Sequence, residues 1–530
     1  MLIDTISPKE SGFFTKLMLD YLYNEKAVQP LFNRFPSIEN FKAQIEEKKQ
    51  NYTDTDRQLF VTAILNQYSN KNTSKLTQAN IEKLALKNTF TVTTGHQLNL
   101  FTGPVYYLYK ILSVINLAED LSKNYPENNF VPIFWMATED HDFEEINYFK
   151  FRDKKIKWSS NQKGPVGRFN TDEINQLQKT IENAFGPSTK AKFLCDLFIK
   201  AYTEHNNLAE ATFFLTNELF KDFGIVIVNG DDKLLKSNFN EIVKQELTNH
   251  VLYNNIIKTK EDHLQNYHVQ VNPREINLFY IDSNLRERIV YENEKYHVLN
   301  TNLSFTESEI FNLIETSPEK FSPNAILRPV YQEKILPNLA YVGGGGELAY
   351  WLELKTSFEA FKITFPILVH RDSVMLVSEK LNSKINKLEI TYTELFKANN
   401  ELSNLLIHKY SNNLLDFSEL KQQLKTQFEI LNTIAIKTDK SFSNALNAQQ
   451  KKQFKGLENL EKKLVRAEKK MLQDKIDRVF ILKEEIFPNK NLQERTQNFS
   501  EFYIDTELNL IENIKKYINP LKVGFKIIQI

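Results

Sequence analysis

The chain has 530 residues, of which 41% are apolar, and 67 basic side chains balance 67 acidic ones. That length suggests two to four domains with sizeable cores, and the charge balance excludes the global basic excess that nucleic acid selects or an acidic solvating tail. A lone cysteine, Cys195, excludes an internal disulfide framework and an all-thiolate zinc site. It sits in a helical pattern and reads as a small packed hydrophobe. The first residues lack a basic stretch followed by an apolar one, and no apolar run approaches the roughly 18 residues of a membrane span. A reducing cytoplasm is the expected setting.

In chain order, residues 1–88 read as helices packed before the first strand. Thr89–Thr93 is entirely β-branched or aromatic and reads as a strand that breaks at Gly95. A helix resumes after Pro104, with Val105, Leu108, Ile111, Leu112 and Ile115 at helical spacing. The loop between them carries His96, Gln97, Asn99 and Thr102. A second apolar strand, Phe130–Ala137, runs into Thr138-Glu-Asp-His-Asp-Phe-Glu-Glu145, where five carboxylates and a histidine fall within eight residues. Such crowding calls for a ligand, a cation or basic side chains. Asp140, His141 and Asp142 could orient a base or bind a hard divalent ion.

The third apolar strand, within Phe223–Asp232, ends in Gly230, Asp231 and Asp232, which either face the same crevice or cap the next helix. Residues 250–320 alternate like antiparallel strands from Val269 onward and read as an inserted sheet; residues 146–220 form another insertion. The core resumes near Arg328. A strand from Leu339 then closes in Gly343, Gly344, Gly345, Gly346 and Glu347, a turn able to approach a ligand, adopt positive φ and precede a helix that could hold an anion. The last core strand, Thr364–Asp372, ends in His370 and Arg371. If all five strands are parallel, their polar and glycine-rich ends share one edge of a doubly wound α/β sheet.

Residues 373–486 read as an α-helical coiled coil. One heptad seam runs Leu381, Ile385, Leu388, Tyr392, Leu395, Asn399, Leu402 and Leu406; a second runs Leu457, Leu460, Leu464, Ala467 and Met471. Residues 487–530 include a helix over Leu508–Ile518 and a strand near Val523–Ile530 that returns to pair elsewhere.

Four blocks together resemble the bacillithiol-biosynthesis cysteine-adding family: Thr94–Pro104, Phe134–Asn147, Arg328–Glu333 and Gly343–Trp351. The resemblance spans nearly the whole chain; members often carry Gln where this chain has His96 and Pro where it has Gly345. It implies a Rossmann-like core resembling class I nucleotidyltransferases, with inserted connecting segments and a coiled coil that builds a homodimer. It also implies a ligase joining cysteine to the amino group of glucosaminyl-malate, with Thr94, Gly95, His96, Gln97, Asn99, Thr102, Gly103 and Asp140–Asp142 bordering the substrate crevice.

Amide formation from a free carboxylate needs activation, most simply by ATP. In this reading the nucleotide phosphates rest on the helix starts near Pro104 and at Gly343–Glu347. Arg328 and Arg371 bind anionic substrate or neutralise developing charge. Asp140 or His141 takes the amine proton. Whether ATP or ADP stays bound and whether a divalent metal takes part are open at this point. Two other readings remain: an enzyme of the same core adenylating another small acid, and a non-catalytic coiled-coil scaffold with a nucleotide pocket.

Overall fold

The computed structural model describes residues 1–530 except Asp153, Gln270 and Leu508. The start of the expected Leu508–Ile518 helix and one position of the expected strand from Val269 therefore lie outside the described residues. Two units are distinguished: Met1–Ser378 together with Asn491–Ile530, and Glu379–Lys490.

In the first unit, five strands form the central sheet: β1 (Thr89–His96), β2 (Asn129–Met136), β3 (Val226–Asn229), β4 (Asn338–Gly343) and β5 (Ile367–His370). Their order is β5-β4-β1-β2-β3 and every neighbouring pair is parallel. This is the order of a doubly wound, Rossmann-like sheet, and it reverses direction between β1 and β4. β1 continues through Gly95 to His96 in register with Trp135 and Met136, so the strand does not break at the glycine as its sequence suggests.

Both faces of the sheet are covered, which is why its strands read as continuous apolar runs. Alternation along β2 makes this concrete. Val131, Ile133 and Trp135 join a core with the N-terminal helices, while Phe134 and Met136 join one with helix α1 (Tyr106–Asn124). The buried threonines of β1 need partners. Thr91 and Thr93 donate to Asn338 Oδ1 at 3.2 and 2.9 Å, and Thr94 donates to the Val342 carbonyl at 2.7 Å. These bonds tie β1 to β4 across the point where the sheet order reverses.

The segment between β2 and β3 carries an antiparallel hairpin, Tyr148–Phe151 with Lys154–Lys157, followed by helices up to Phe220. Between β3 and β4, Leu278–Asp282, Leu285–Glu292, Lys295–Val298, Ser304–Phe305 and Phe321–Pro323 form the expected antiparallel sheet. Helix α2 (Gly345–Trp351) follows β4 directly.

Residues 1–88 are not wholly helical. Leu2–Ile6 is a strand, paired antiparallel with Phe525–Gln529, which in turn pairs parallel with Ser373–Val377. The helical region consequently begins at Glu379 rather than at 373, and the C-terminal strand is the middle member of a sheet made from both ends of the chain.

In the second unit the first expected seam is divided among Glu379–Lys387, Tyr392–Phe396 and Asn399–Tyr410. Glu389, at φ 56°, turns the chain between the first two, and Asn399 is exposed at the start of the third instead of lying in a seam. Their apolar residues pack short helices together, a demand that produces the same spacing as a heptad. The long helices are α3 (Ser418–Ala435) and α4 (Lys440–Met471), which meet through Leu424, Phe428, Ala435 and Leu446. The second seam lies on α4, where Leu460 and Met471 are 57% and 78% exposed.

Phe525, Ile527 and Ile528 are buried in the central strand of the terminal sheet. Ending the chain after Gly524 should therefore remove roughly 2 kcal/mol per side chain and leave two strands unpaired. That loss matches the stability of a typical domain, so urea titration should find the first unit unfolded or nearly so.

Candidate active site

A cavity of about 480 Å³ opens where the sheet order reverses, beyond the carboxyl ends of β1 and β4. Gln97, Asn99, Pro104 and Tyr106 line it from the segment after β1, and Gly344, Gly345, Gly346 and Glu347 from the turn after β4. Arg371 lines it after β5, with Glu145 and Lys150 from the insertion and Arg495 and Thr496 from the C-terminal segment.

Its floor is an ion pair. Lys110, on the buried side of α1, donates to the Gly95 carbonyl at 2.7 Å and to Glu347 Oε2 at 2.6 Å. Burial lowers the Lys110 pKa, opposed by Glu347. Burial also pushes Glu347 upward, but Lys110 and then Arg328 hold its carboxyl below the usual range. Tyr341 donates its hydroxyl to the same carboxylate.

Glu347 Oε2 also accepts the Gly344 N–H at 3.4 Å, so the protein's own carboxylate sits at the start of α2. The four-glycine turn is thus not a bare anion cradle. Nor is it left-handed, since the glycines with positive φ among the described residues are Gly12, Gly103, Gly164, Gly186 and Gly224. Gly343 is closely packed, since a Cβ there would meet Leu348 Cδ2 at 2.9 Å, whereas a Cβ on Gly344 or Gly345 would meet nothing nearer than 3.7 Å.

Arg371 is 3% exposed and forks onto Glu494 at 3.1 and 2.7 Å. Burial works against its charge, and Glu494 more than restores it. The guanidinium lies 4.9 Å from the Tyr106 ring centroid. Its Nε is buried without a partner, 3.7 Å from where a Cβ on Gly344 would stand. Arg495 and Lys150 also line the cavity and make no ion pair among the described residues.

The acidic run after β2 borders this cavity through Gln97, whose amide donates to Asp140 Oδ2 at 2.9 Å and Glu145 Oε2 at 3.0 Å. Asp140, His141 and Asp142 do not line it; Glu145 does. Burial pushes the Asp140 carboxyl up, but Gln97, Arg286 and the amides of His141 and Asp142 bring it below its ordinary value, which makes it a weak base. Arg286, from the inserted sheet, lies against His141 Nδ1 and over the Phe279 ring. A guanidinium can only donate, so Nδ1 carries the lone pair and the imidazole is neutral. Burial and then Arg286 lower its pKa accordingly. Among the described residues no group of three or more His, Cys, Asp or Glu side chains could hold a metal ion. The run's crowding is relieved by cations instead. Lys236 lies 2.6 Å from Glu139 and 3.2 Å from Asp231, and Arg168 pairs with Asp231 at 2.8 Å. Asp232 caps the helix Lys233–Ser237.

Other expected contacts lie behind the cavity wall. His96 is buried between the Tyr106 and Tyr107 rings, and burial, then Lys110 and Arg371, hold it neutral. Thr94 is bonded to β4; Gly95 lies beside Arg328 and Tyr341, where a Cβ would approach both at 3.3 Å. Thr102 and Gly103 shape the turn beneath Asn99. Arg328 reaches Gln332 at 3.1 Å, Tyr350 at 3.3 Å and Glu347 at 4.0 Å. Cys195 is buried, its thiol pushed up to about 11 by burial.

Sequence reasoning missed Tyr106, Lys110, Lys150, Arg495 and Thr496, and had Glu145 only as the last member of the acidic run. Lys110 carries a legible signal, a lysine on the apolar face of α1; Arg495 carries none. Removing one partner of a buried pair strands the other charge. Glu347→Ala should therefore destabilise the first unit by about 3–5 kcal/mol, and adding Lys110→Met should recover much of that in urea titrations.

With this geometry in view, two family models match the chain: "Bacillithiol biosynthesis BshC, N-terminal Rossmann-like domain" over residues 1–372, and "Bacillithiol biosynthesis BshC, C-terminal coiled-coil domain" over residues 374–530. Among curated relatives, a Flavobacterium psychrophilum protein is 53% identical over 99% of both chains. One from Flavobacterium johnsoniae is 50% identical over 99% of both. One from Christiangramia forsetii is 48% identical over 99% of this chain and 98% of its own. Each is named "Putative cysteine ligase BshC". A Rossmann-like core with its cavity at the sheet's reversal point and a helical region following it agree with both models, and the chain belongs to the bacillithiol-biosynthesis BshC family.

Proposed function

We propose that this protein is a ligase that joins the carboxyl group of cysteine to the amino group of glucosaminyl-malate, forming an amide in the cavity at the sheet's reversal point. The names of its relatives support the cysteine ligase reading. The observation that carries it to this site is a cavity with two cationic side chains, Arg495 and Lys150, that make no ion pair among the described residues, beside a carboxylate, Glu145. A malate-bearing sugar is anionic and suits Arg495, Lys150 and the Arg371 Nε.

ATP would convert the cysteine carboxylate into an acyl phosphate, releasing ADP, or an acyl adenylate, releasing pyrophosphate. The sugar amine then attacks the acyl carbon, the C–N bond forms and the C–O bond to phosphate breaks. The amine proton passes to Glu145, which lines the cavity, in preference to Asp140, whose oxygens are engaged. Asp140 acts by fixing Gln97. The phosphates would be held by Arg495 and Lys150, since the Glu347 carboxylate already occupies the start of α2. The reaction takes place in the cytoplasm, where a thiol substrate stays reduced. No helix among the described residues is long and apolar enough to cross a membrane.

Purified protein given ATP, labelled cysteine and glucosaminyl-malate should yield the labelled amide. Glu145→Gln should lower kcat by about 100-fold or more with little change in KM. Turnover of ATP with some other acid, and never with cysteine, would overturn the assignment.

The exposed Leu460 and Met471 on α4 suit pairing of two chains. Light scattering should give twice the 62.1 kDa chain mass, and Leu460→Glu with Met471→Glu should return a single chain; a wild-type monomer would end this reading.

A further inference from the structure

The turn between β1 and α1 is held in a conformation its residues disfavour. Phe101 has φ 46° and ψ 50°, Thr102 has φ 68°, and Gly103 has φ 64° with ψ −138°. Two side-chain-bearing residues in succession thus occupy the left-handed region, where only glycine is at ease. Such strain persists where the surroundings over-determine it.

Here the surroundings are remote in sequence. Asn498 is fully buried and spends both protons of its amide on this turn, donating to the Phe101 carbonyl at 2.8 Å and the Gly103 carbonyl at 2.6 Å. Its own Oδ1 accepts the Ser500 N–H at 3.0 Å, which fixes the amide's orientation. Its backbone N–H donates to the Lys150 carbonyl at 3.2 Å, and the next carbonyl back, Gln497, accepts the Val105 N–H at 2.7 Å. The Phe101 N–H is taken by the Tyr202 hydroxyl at 2.7 Å. The Phe101 N–H and the Phe101 and Gly103 carbonyls are thus matched from outside the turn, while the Gly103 N–H is matched within it by the Leu100 carbonyl at 3.0 Å.

The turn's shape reaches the cavity through Asn99. A Cβ on Gly103 would lie 2.7 Å from Asn99 Cβ, so the Asn99 side chain rests on the bare glycine backbone. Asn99 lines the cavity, and its Oδ1 is buried without a partner. An acceptor left without a partner among the described residues, on a side chain that lines a cavity, is one that a ligand's N–H or O–H can satisfy.

We infer that Asn498 is a positioning residue: by clamping the left-handed turn Phe101–Gly103, it holds the Asn99 Oδ1 in place to accept a hydrogen bond from the substrate's amino or hydroxyl group. The role rests on the proposed ligase reaction for its substrate, but not for the clamp. Asn498→Asp keeps size and the bond from Ser500 while removing both donors. In amide exchange read by mass spectrometry, the peptide containing Phe101–Val105 should lose protection at least tenfold in this variant, with other β1 and α1 peptides little changed. The KM for glucosaminyl-malate should rise about tenfold, more than kcat falls. Adding Thr102→Gly, which makes the left-handed backbone intrinsic, should recover a third or more of the lost kcat/KM. A merely structural asparagine would lose protection and stability but leave the KM for glucosaminyl-malate unchanged.

If Asn498→Asp does not fold, Asn498→Ser, which shortens the side chain without adding charge, takes its place. Fast exchange of the Phe101 and Val105 amides in the wild-type protein, or absence of rescue, overturns the inference. A wild-type protein that never joins cysteine to the sugar overturns the ligase proposal and the Asn99 contact, leaving the clamp to stand or fall on exchange alone.

Discussion

The buried pair of Lys110 and Glu347 is the constraint on which the site depends. Its two charges belong to the first helix of the sheet and to the helix after β4, which follow strands separated by more than 200 residues. In water such a pair contributes little, but in a site shielded by aromatic rings neither charge can be left alone. Because Lys110 also takes the Gly95 carbonyl, one ammonium fixes the end of β1, the start of α2 and the gap between them. The cavity's shape follows from that geometry, because the gap at a reversal of strand order is where a doubly wound sheet leaves room.

The same accounting explains why so few of the cavity's charges are available to a ligand. Arg371 is matched by Glu494, Lys110 by Glu347, and Asp140 by Gln97 and two backbone amides. Among the described residues the Arg371 Nε, the Asn99 Oδ1, and the side chains of Arg495 and Lys150 stay unmatched. A buried polar atom without a partner is costly, and in a site it marks where the ligand's own groups complete the network. Residues richest in charge in the sequence, the run Glu139–Glu145, are mostly spent on protein partners.

How much of this was legible beforehand divides along the range of the interactions. The core strands declare themselves because strands buried on both faces are largely apolar or, in β1, β-branched and aromatic, and their shared edge follows once they are parallel. Gln97, Asn99, the glycine turn and Arg371 were therefore placed at the cavity by position alone. Lys110 was overlooked, although a lysine on the apolar face of a helix is a legible signal. Glu494, Arg495 and Asn498 were invisible, since nothing local distinguishes a polar segment that lies on the surface from one that docks on a core some 120 to 400 residues away. Periodicity misled in the other direction: Leu381 to Leu406 has heptad spacing, yet Glu389 turns the chain, and short helices packing together need the same apolar repeat. Leu2–Ile6 was missed because its partner strand is at the opposite end of the chain.

That long range has a consequence for how the site comes into being. Arg371 precedes Glu494 in synthesis by more than 100 residues, and the carbonyls of Phe101 and Gly103 precede Asn498 by nearly 400. Until the last segment docks, the guanidinium lacks its carboxylate, the turn lacks its clamp, and Leu2–Ile6 and Ser373–Val377 lack the strand that joins them. None of these groups can be buried comfortably alone. The core sheet can therefore assemble from its own hydrophobic pattern, whereas the cavity takes its final form only when both ends of the polypeptide have met. The cavity's geometry and completion of the fold are in this way the same event, enforced by hydrogen bonds and ion pairs that no local stretch of sequence can satisfy.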